Sequence, residues 1–441
     1  MTTTDRRLLR AGVALLVCLT RSVPGDAAEP GAALPFGGKT VLLHSSWQTV
    51  NIGDIAHTPG ALELLRRALP GARLILWAAR PLDRGVEPML RRAFPDVEIV
   101  WGHLDQTGRT GSESLRRAVE SADLLVYGSG PHLHARIFAG WQAATRGKPY
   151  GSYGNTIEKG LSNLRFTSLL SDACFIFTRE TTSLAAVQSS VASPRNLAFA
   201  PDATFGMTLT DDARGQKLQR DKGLTRGKYI CVVPRLRKTP YHKIYPDRGW
   251  GEAKIREVET LNERWADRDH AKARTAMIRW IRETGGKVLV CPEMTYQLDV
   301  MDELLINPLP EDVRSRVERV DHYWLPDEAA AVYRDAVAVL SFECHSPILA
   351  FAQGTPAFYL RQPEDTSKGQ MWYDLGVAEW VFEIEEVTGE QIASQLIAVH
   401  NDPAAAGTYL REAMIIVRER QTASMRIIGD TLLYSDTRPT N

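Results

Sequence analysis

Short apolar runs alternate along this chain with polar loops and with segments of helical period, and that alternation predicts its elements. K-T-V-L-L-H (Lys39 to His44) is the first strand, A-R-L-I-L-W (Ala72 to Trp77) the second and D-V-E-I-V-W (Asp96 to Trp101) the third. Between the first two, Thr58 and Pro59 are expected to cap and open a helix reaching Leu69. A fourth run, A-D-L-L-V-Y (Ala122 to Tyr127), leads through G-S-G-P-H-L-H-A into the helical I-F-A-G-W-Q-A-A, and apolar runs recur from Lys148, Ala173 and Leu197. The polar stretch Asp211 to Gly227 reads as a linker. The pattern then restarts: strands at Lys228 to Val233, Lys287 to Cys291, Val317 to Val320 and Ala338 to Phe342, helices at His270 to Thr284, Leu298 to Asn307 and Asp327 to Ala336.

Strands separated by helices pair in parallel through right-handed crossovers. The expected fold class is therefore α/β, with two Rossmann-like doubly wound domains, residues 38–212 and 228–435, facing a cleft. In such sheets ligands gather where strands end, so the loops after the strands are where chemistry is expected.

At 441 residues the chain is long enough for two cores. Its 53 basic and 53 acidic residues balance, which argues against a nucleic-acid partner. Cys174, Cys231 and Cys291 sit in apolar strand-like runs and read as core residues rather than a disulfide framework. The amino terminus has positive charge at Arg6, Arg7 and Arg10, an apolar run Ala11 to Thr20, and small residues at Gly25 to Ala28. That order predicts a signal peptide over residues 1–28 and export to the periplasm or cell envelope; a mis-assigned start would leave the protein cytoplasmic.

Several strand-end loops hold candidate chemistry. S-F-E-C-H-S-P, from Ser341, places Glu343 and His345 between a strand and a helix that Ser346 can cap. P-R-L-R-K-T-P-Y-H-K-I-Y, from Pro234, crowds Arg235 and Arg237 with tyrosines, a combination suited to an anion beside a sugar ring. Lys368 stands in the loop after Gly354 to Leu360. N-I-G-D brings Asn51, Gly53 and Asp54 to the start of a helix, where turn chemistry and substrate contact explain them equally well. Gly128, Ser129 and Gly130 can bring backbone amides near a phosphate or sugar, but this is neither a dinucleotide fingerprint nor a phosphate loop. His132 and His134 lack the further ligands of a zinc site, and Asp202 in P-D-A-T reads as a turn. No metal and no cofactor is expected.

These pieces, in their order, resemble the polysaccharide pyruvyl transferase family. The matching stretches are N-I-G-D at Asn51, D-L-L-V-Y-G-S-G at Asp123, F-T-R-E-T-T-S at Phe177 and A-P-D-A-T-F at Ala200. A last block holds His345, G-T-P at Gly354, Lys368 and Leu375-Gly376, so the likeness runs over roughly residues 40–380. The resemblance implies a fold similar to B-type glycosyltransferases and transfer of a pyruvyl group from phosphoenolpyruvate to saccharide hydroxyls, giving a ketal. It implies His345 as acid or base, Arg235 holding the donor with Lys368 assisting, and Glu343 or Asp54 as general base. One departure is informative: Glu343 stands where the family has an arginine before x-His. A carboxylate at ~4 Å from an anionic donor costs about 4 kcal/mol at an effective dielectric near 20. Either Arg235, Arg237 and Lys368 bind the donor without that arginine, or Glu343 is neutral, or the donor is another small anion. Two other readings fit the same residues: a glycosyltransferase using an activated sugar, and a non-catalytic exported glycan-binding protein. For either, Trp47, Tyr241, Tyr245, Trp372 and Tyr373 would suit stacking on sugars.

Overall fold

The computed structural model describes residues 34–192 and 194–434; the signal peptide expected at residues 1–28 lies outside them. Thirteen strands form two sheets, and every pairing within them is parallel. The first contains β1 (Thr40–Ser45), β2 (Arg73–Ala78), β3 (Glu98–Trp101), β4 (Leu124–Tyr127), β5 (Tyr150–Asn155), β6 (Phe175–Thr178) and β7 (Asn196–Phe199). The second contains β8 (Tyr229–Val233), β9 (Lys287–Val290), β10 (Val317–Arg319), β11 (Val339–Ser341), β12 (Ala357–Arg361) and β13 (Val381–Glu383). Their orders, β3-β2-β1-β4-β5-β6-β7 and β10-β9-β8-β11-β12-β13, are the same doubly wound plan. Strand order reverses between β1 and β4 in one sheet and between β8 and β11 in the other. In doubly wound sheets ligands gather at such reversals, and the loops holding Asn51, Gly128, Arg235 and Glu343 follow β1, β4, β8 and β11.

The central strands β1, β4, β8 and β11 are buried along their whole length, as all-parallel sheets covered on both faces require. The helix Pro403–Leu433 spans both cores. Its Ala406, Leu410, Ala413 and Val417 pack with the second sheet's core, and its Met425, Ile428 and Leu432 with Phe36, Leu65 and Leu69 in the first. Among the described residues no helix is long and apolar enough to cross a membrane.

Four elements differ from the sequence expectation; one is the helix expected from His270, which begins at Glu252. The first helix runs Ile52–Ala68 and passes through Pro59. Its cap is Asn51, whose side chain accepts from Gly53 N, while Ile52 N donates to Glu293 O of the second half at 2.9 Å. Thr58 is no cap; it is buried in contact with Ser45 and Ser46 through hydroxyl hydrogen bonds of 2.9 and 2.8 Å. The expected linker contains a helix, Asp212–Asp221, capped by Asp211. It buries only Gly215 and Leu218, too few apolar contacts to mark a periodic face. The helix expected from Ser346 begins at His345.

Candidate functional site

The two halves meet along an antiparallel bridge between Asn51 and Met294, with Thr295 N donating to Val50 O at 3.0 Å. Beside this bridge, loops after β7, β9 and β11 and the helix after β1 bring two histidines together edge to face. His345 comes from the second half at the start of its helix, and His57 from the first half on Ile52–Ala68. Their ring centroids are 5.1 Å apart with the planes at 87°.

Each ring is held by a buried carboxylate. His345 Nδ1 lies 3.1 Å from Glu293 Oε1, and Glu293 Oε2 accepts from both Ser346 N and Ser346 Oγ at 2.7 Å. His57 Nδ1 lies 2.9 Å from Asp202 Oδ1. Asp202 also caps Thr204 N at 2.9 Å and accepts from Arg179 Nη1 at 3.1 Å. His345 Nε2 is 4.0 Å from Asp202 Oδ2, so the two pairs share one carboxylate neighbour. Burial opposes ionisation of Asp202, but His57, Arg179 and His345 outweigh it and hold the acid well below its ordinary range. Glu293 is lowered in the same way, the bonds from His345 and Ser346 overcoming its burial. Three buried nitrogens have no hydrogen-bond partner: His57 Nε2, His345 Nε2 and Arg179 Nη2. Native proteins rarely leave such atoms unpaired, and a cleft that takes a ligand is one setting where they do.

Gly53 makes this meeting possible. A Cβ there would fall 2.1 Å from His345 Nδ1, so the imidazole occupies the space of the missing side chain. Asp54, one residue on, takes a hydrogen bond from the Gln48 amide and stands 3.9 Å from His57 Nε2.

Glu343 sits one layer behind. Gln297 Nε2 donates to its Oε1 at 3.0 Å, while Gln297 Oε1 accepts from Glu293 N, tying the two glutamates to one amide. Arg235 Nε lies 3.3 Å from Glu343 Oε2, and Arg235 Nη1 lies 2.5 Å from Asp365. Burial works against the Arg235 charge, yet Asp365 first and Glu343 second hold its proton more tightly than usual. Glu343 itself is pushed up to about 8, by burial first and then by Glu293 and Asp365, with Arg235 and Lys368 opposing. The upward shift favours the neutral acid, which lessens the repulsion its position in the sequence suggested.

Of the sequence-derived candidates, the fold brings together His345, Gly53, Asn51, Asp54, Glu343, Arg235 and Lys368. Lys368 Nζ is 3.7 Å from Asp365. Arg237 is directed elsewhere. It pairs bidentately with Asp269 at 2.8 and 3.0 Å, reaches Glu385 at 2.8 Å and lies 3.8 Å over the Trp265 ring. Gly128, Ser129 and Gly130 follow β4, but their polar groups are spent internally. Trp47 Nε1 donates to Ser129 O, Ser129 Oγ to Gly154 O at 2.9 Å, and Asn155 Nδ2 to Gly128 O at 2.9 Å. His132 and His134 are exposed, with ring centroids 6.5 Å apart, and partial desolvation lowers the pKa of each.

His57, Arg179, Glu293 and Asp365 were not among the candidates, and Asp202 was read only as a turn. Two of them left faint signals: Asp54 and His57 are three apart on one helix face, as are Asp365 and Lys368 in their loop. His57, Asp202 and His345 also form, among the described residues, a group whose potential ligand atoms lie within 4.8 Å of one another. Both oxygens of Asp202 are already engaged by His57, Thr204 and Arg179, so a cation could use that carboxylate only by displacing those partners.

Residues 51–362 match the model of a family described as polysaccharide pyruvyl transferase. A search of the curated proteins found no match. Among solved structures, a UGT transferase from Siraitia grosvenorii in complex with UDP is 9% identical, with a TM-score of 0.53 over 89% of this chain and 100% of that one. A UDP-GlcNAc 2-epimerase from Neisseria meningitidis bound to UDP-GlcNAc is 12% identical, with a TM-score of 0.52 over 90% and 99%. At these identities the likeness is one of fold, two Rossmann-like domains arranged as in B-type glycosyltransferases.

Proposed function

This chain belongs to the polysaccharide pyruvyl transferase family, and on that premise we propose that it transfers a pyruvyl group from phosphoenolpyruvate to a saccharide, closing a ketal. The observation that carries the reading is His345, buried between the halves with Nδ1 fixed by Glu293 and Nε2 without a partner. A ring fixed in this way can give a proton to the donor's methylene carbon and take one back from an attacking hydroxyl. Arg179, with Nη2 free, and Lys368 are the cations suited to the donor's carboxylate and phosphate. Arg235 has a different part: with Asp365 and Gln362 it fixes the wall behind Glu343. A protonated Glu343 lets an anion approach where an ionised one would repel it.

The test is to incubate the protein with phosphoenolpyruvate and a saccharide that offers two neighbouring hydroxyls. The ketal methyl group is then followed by NMR alongside released phosphate. His345→Ala is expected to lower both at least about 100-fold. A variant with undiminished turnover would remove His345 from the chemistry, and a wild-type protein that leaves phosphoenolpyruvate intact would remove the donor assignment.

A further inference from the structure

We propose that His57, together with Asp202, is a second proton-transfer pair of the same site, and that it serves the second hydroxyl in ketal closure. This rests on the transferase reading above and deepens it. Ketal formation places two acceptor oxygens on one carbon, so two protons must leave the acceptor. The site contains two imidazoles of matching construction, one from each half. His57 has Nδ1 2.9 Å from Asp202 as His345 has Nδ1 3.1 Å from Glu293, and in both rings Nε2 is buried without a hydrogen bond, its nearest carboxylates being Asp54 at 3.9 Å and Asp202 at 4.0 Å respectively. A histidine that served packing alone would be expected to satisfy both nitrogens. The groups around His57 are Asp54 on its own helix, Asp202 and Thr204 after β7, Arg179 after β6 by way of Asp202, and His345 across the cleft.

A proton from His345 adds to the methylene carbon of the enol phosphate, while the first hydroxyl oxygen bonds to the neighbouring carbon and returns its proton to His345. The bond from that carbon to the phosphate oxygen then breaks, the electron pair leaving with phosphate. The second hydroxyl oxygen bonds to the same carbon and gives its proton to His57 Nε2, from which it departs with the phosphate. Enol phosphate and diol become ketal and hydrogen phosphate. Asp202 acts through His57, holding the ring by Nδ1 and leaving Nε2 for the proton.

The experiment compares phosphate released with ketal formed. His57→Asn puts an amide nitrogen near the position of Nδ1, retaining a donor for Asp202 while removing Nε2. The wild-type ratio is expected to be one to one. In His57→Asn, phosphate release is expected to slow but persist, and to exceed ketal at least tenfold as water captures the carbon and pyruvate is lost. His345→Asn is expected to lose phosphate and ketal together. Should His57→Asn not fold, as read by thermal melting, His57→Gln is measured in the same way. A one-to-one ratio in the folded variant, at any rate, overturns the second pair and leaves the transferase reading standing. A wild-type protein that releases neither product from phosphoenolpyruvate and a diol overturns both.

Discussion

Replacing Glu343 by Gln separates the two explanations for a glutamate in an anion site. The carboxyl is 3% exposed and is pushed from 4.5 to about 8, burial being the largest cause. The unfolded chain releases this proton near pH 4.5 and the folded chain keeps it until about 8. The folded state therefore binds more protons across that window, and its stability falls as pH rises through it. Within that window the slope is at most about 1.4 kcal/mol per pH unit. Glutamine has the shape of the neutral acid and does not titrate. Rearranged bonds to Gln297 and Arg235 in the variant cost about 1 kcal/mol, but equally at every pH. Urea unfolding of both proteins at pH 5, 6, 7 and 8 reads the difference directly. Glu343→Gln is expected to gain on the wild type steadily from pH 5 to 8. Two parallel curves would mean that Glu343 is ionised in the folded protein, and the account of how an anion tolerates it would fail.

Two further outcomes follow from packing. Gly53→Ala drives a methyl group into the space of His345 Nδ1, which must leave Glu293; kcat is expected to fall about 100-fold through lost alignment, with donor affinity less affected. Arg237→Ala leaves Asp269, itself 2% exposed, without its bidentate partner and should cost about 3–5 kcal/mol in chemical denaturation, with Arg237→Lys only a partial remedy. A tenfold rise in donor KM at unchanged stability would instead return Arg237 to the binding site.

The sheets were legible because parallel strands buried on both faces read as continuous apolar runs, and both domains announced themselves in that way. His345 was legible because it stands at a strand-to-helix junction beside the order reversal of β8 and β11. His57 was not, because it lies mid-helix in a stretch whose boundary the sequence misplaced. Its partner Asp202 is 145 positions away, and only the closing of one half on the other brings His345 near. Glu343 carried a legible oddity, but its upward shift comes from burial first and then from Glu293, surroundings that no local pattern encodes. Arg237 and the Gly128–Gly130 loop show the converse: a strand-end position is a good prior for function, yet the same loops must also bind their own backbone and buried charges.

The helix Pro403–Leu433 has a mechanical consequence. His57 and Asp202 are wholly buried, so a ligand that reaches them in the proposed reaction needs the surrounding elements to move. One unbroken rod of 31 residues, about 46 Å long, is anchored at its beginning in one core and near its end in the other. Such a rod resists stretching far more than tilting, which favours a rocking gape pivoted along its axis over outright separation. Admission of the acceptor is thereby tied to how firmly Met425, Ile428 and Leu432 are seated, far from any reacting atom.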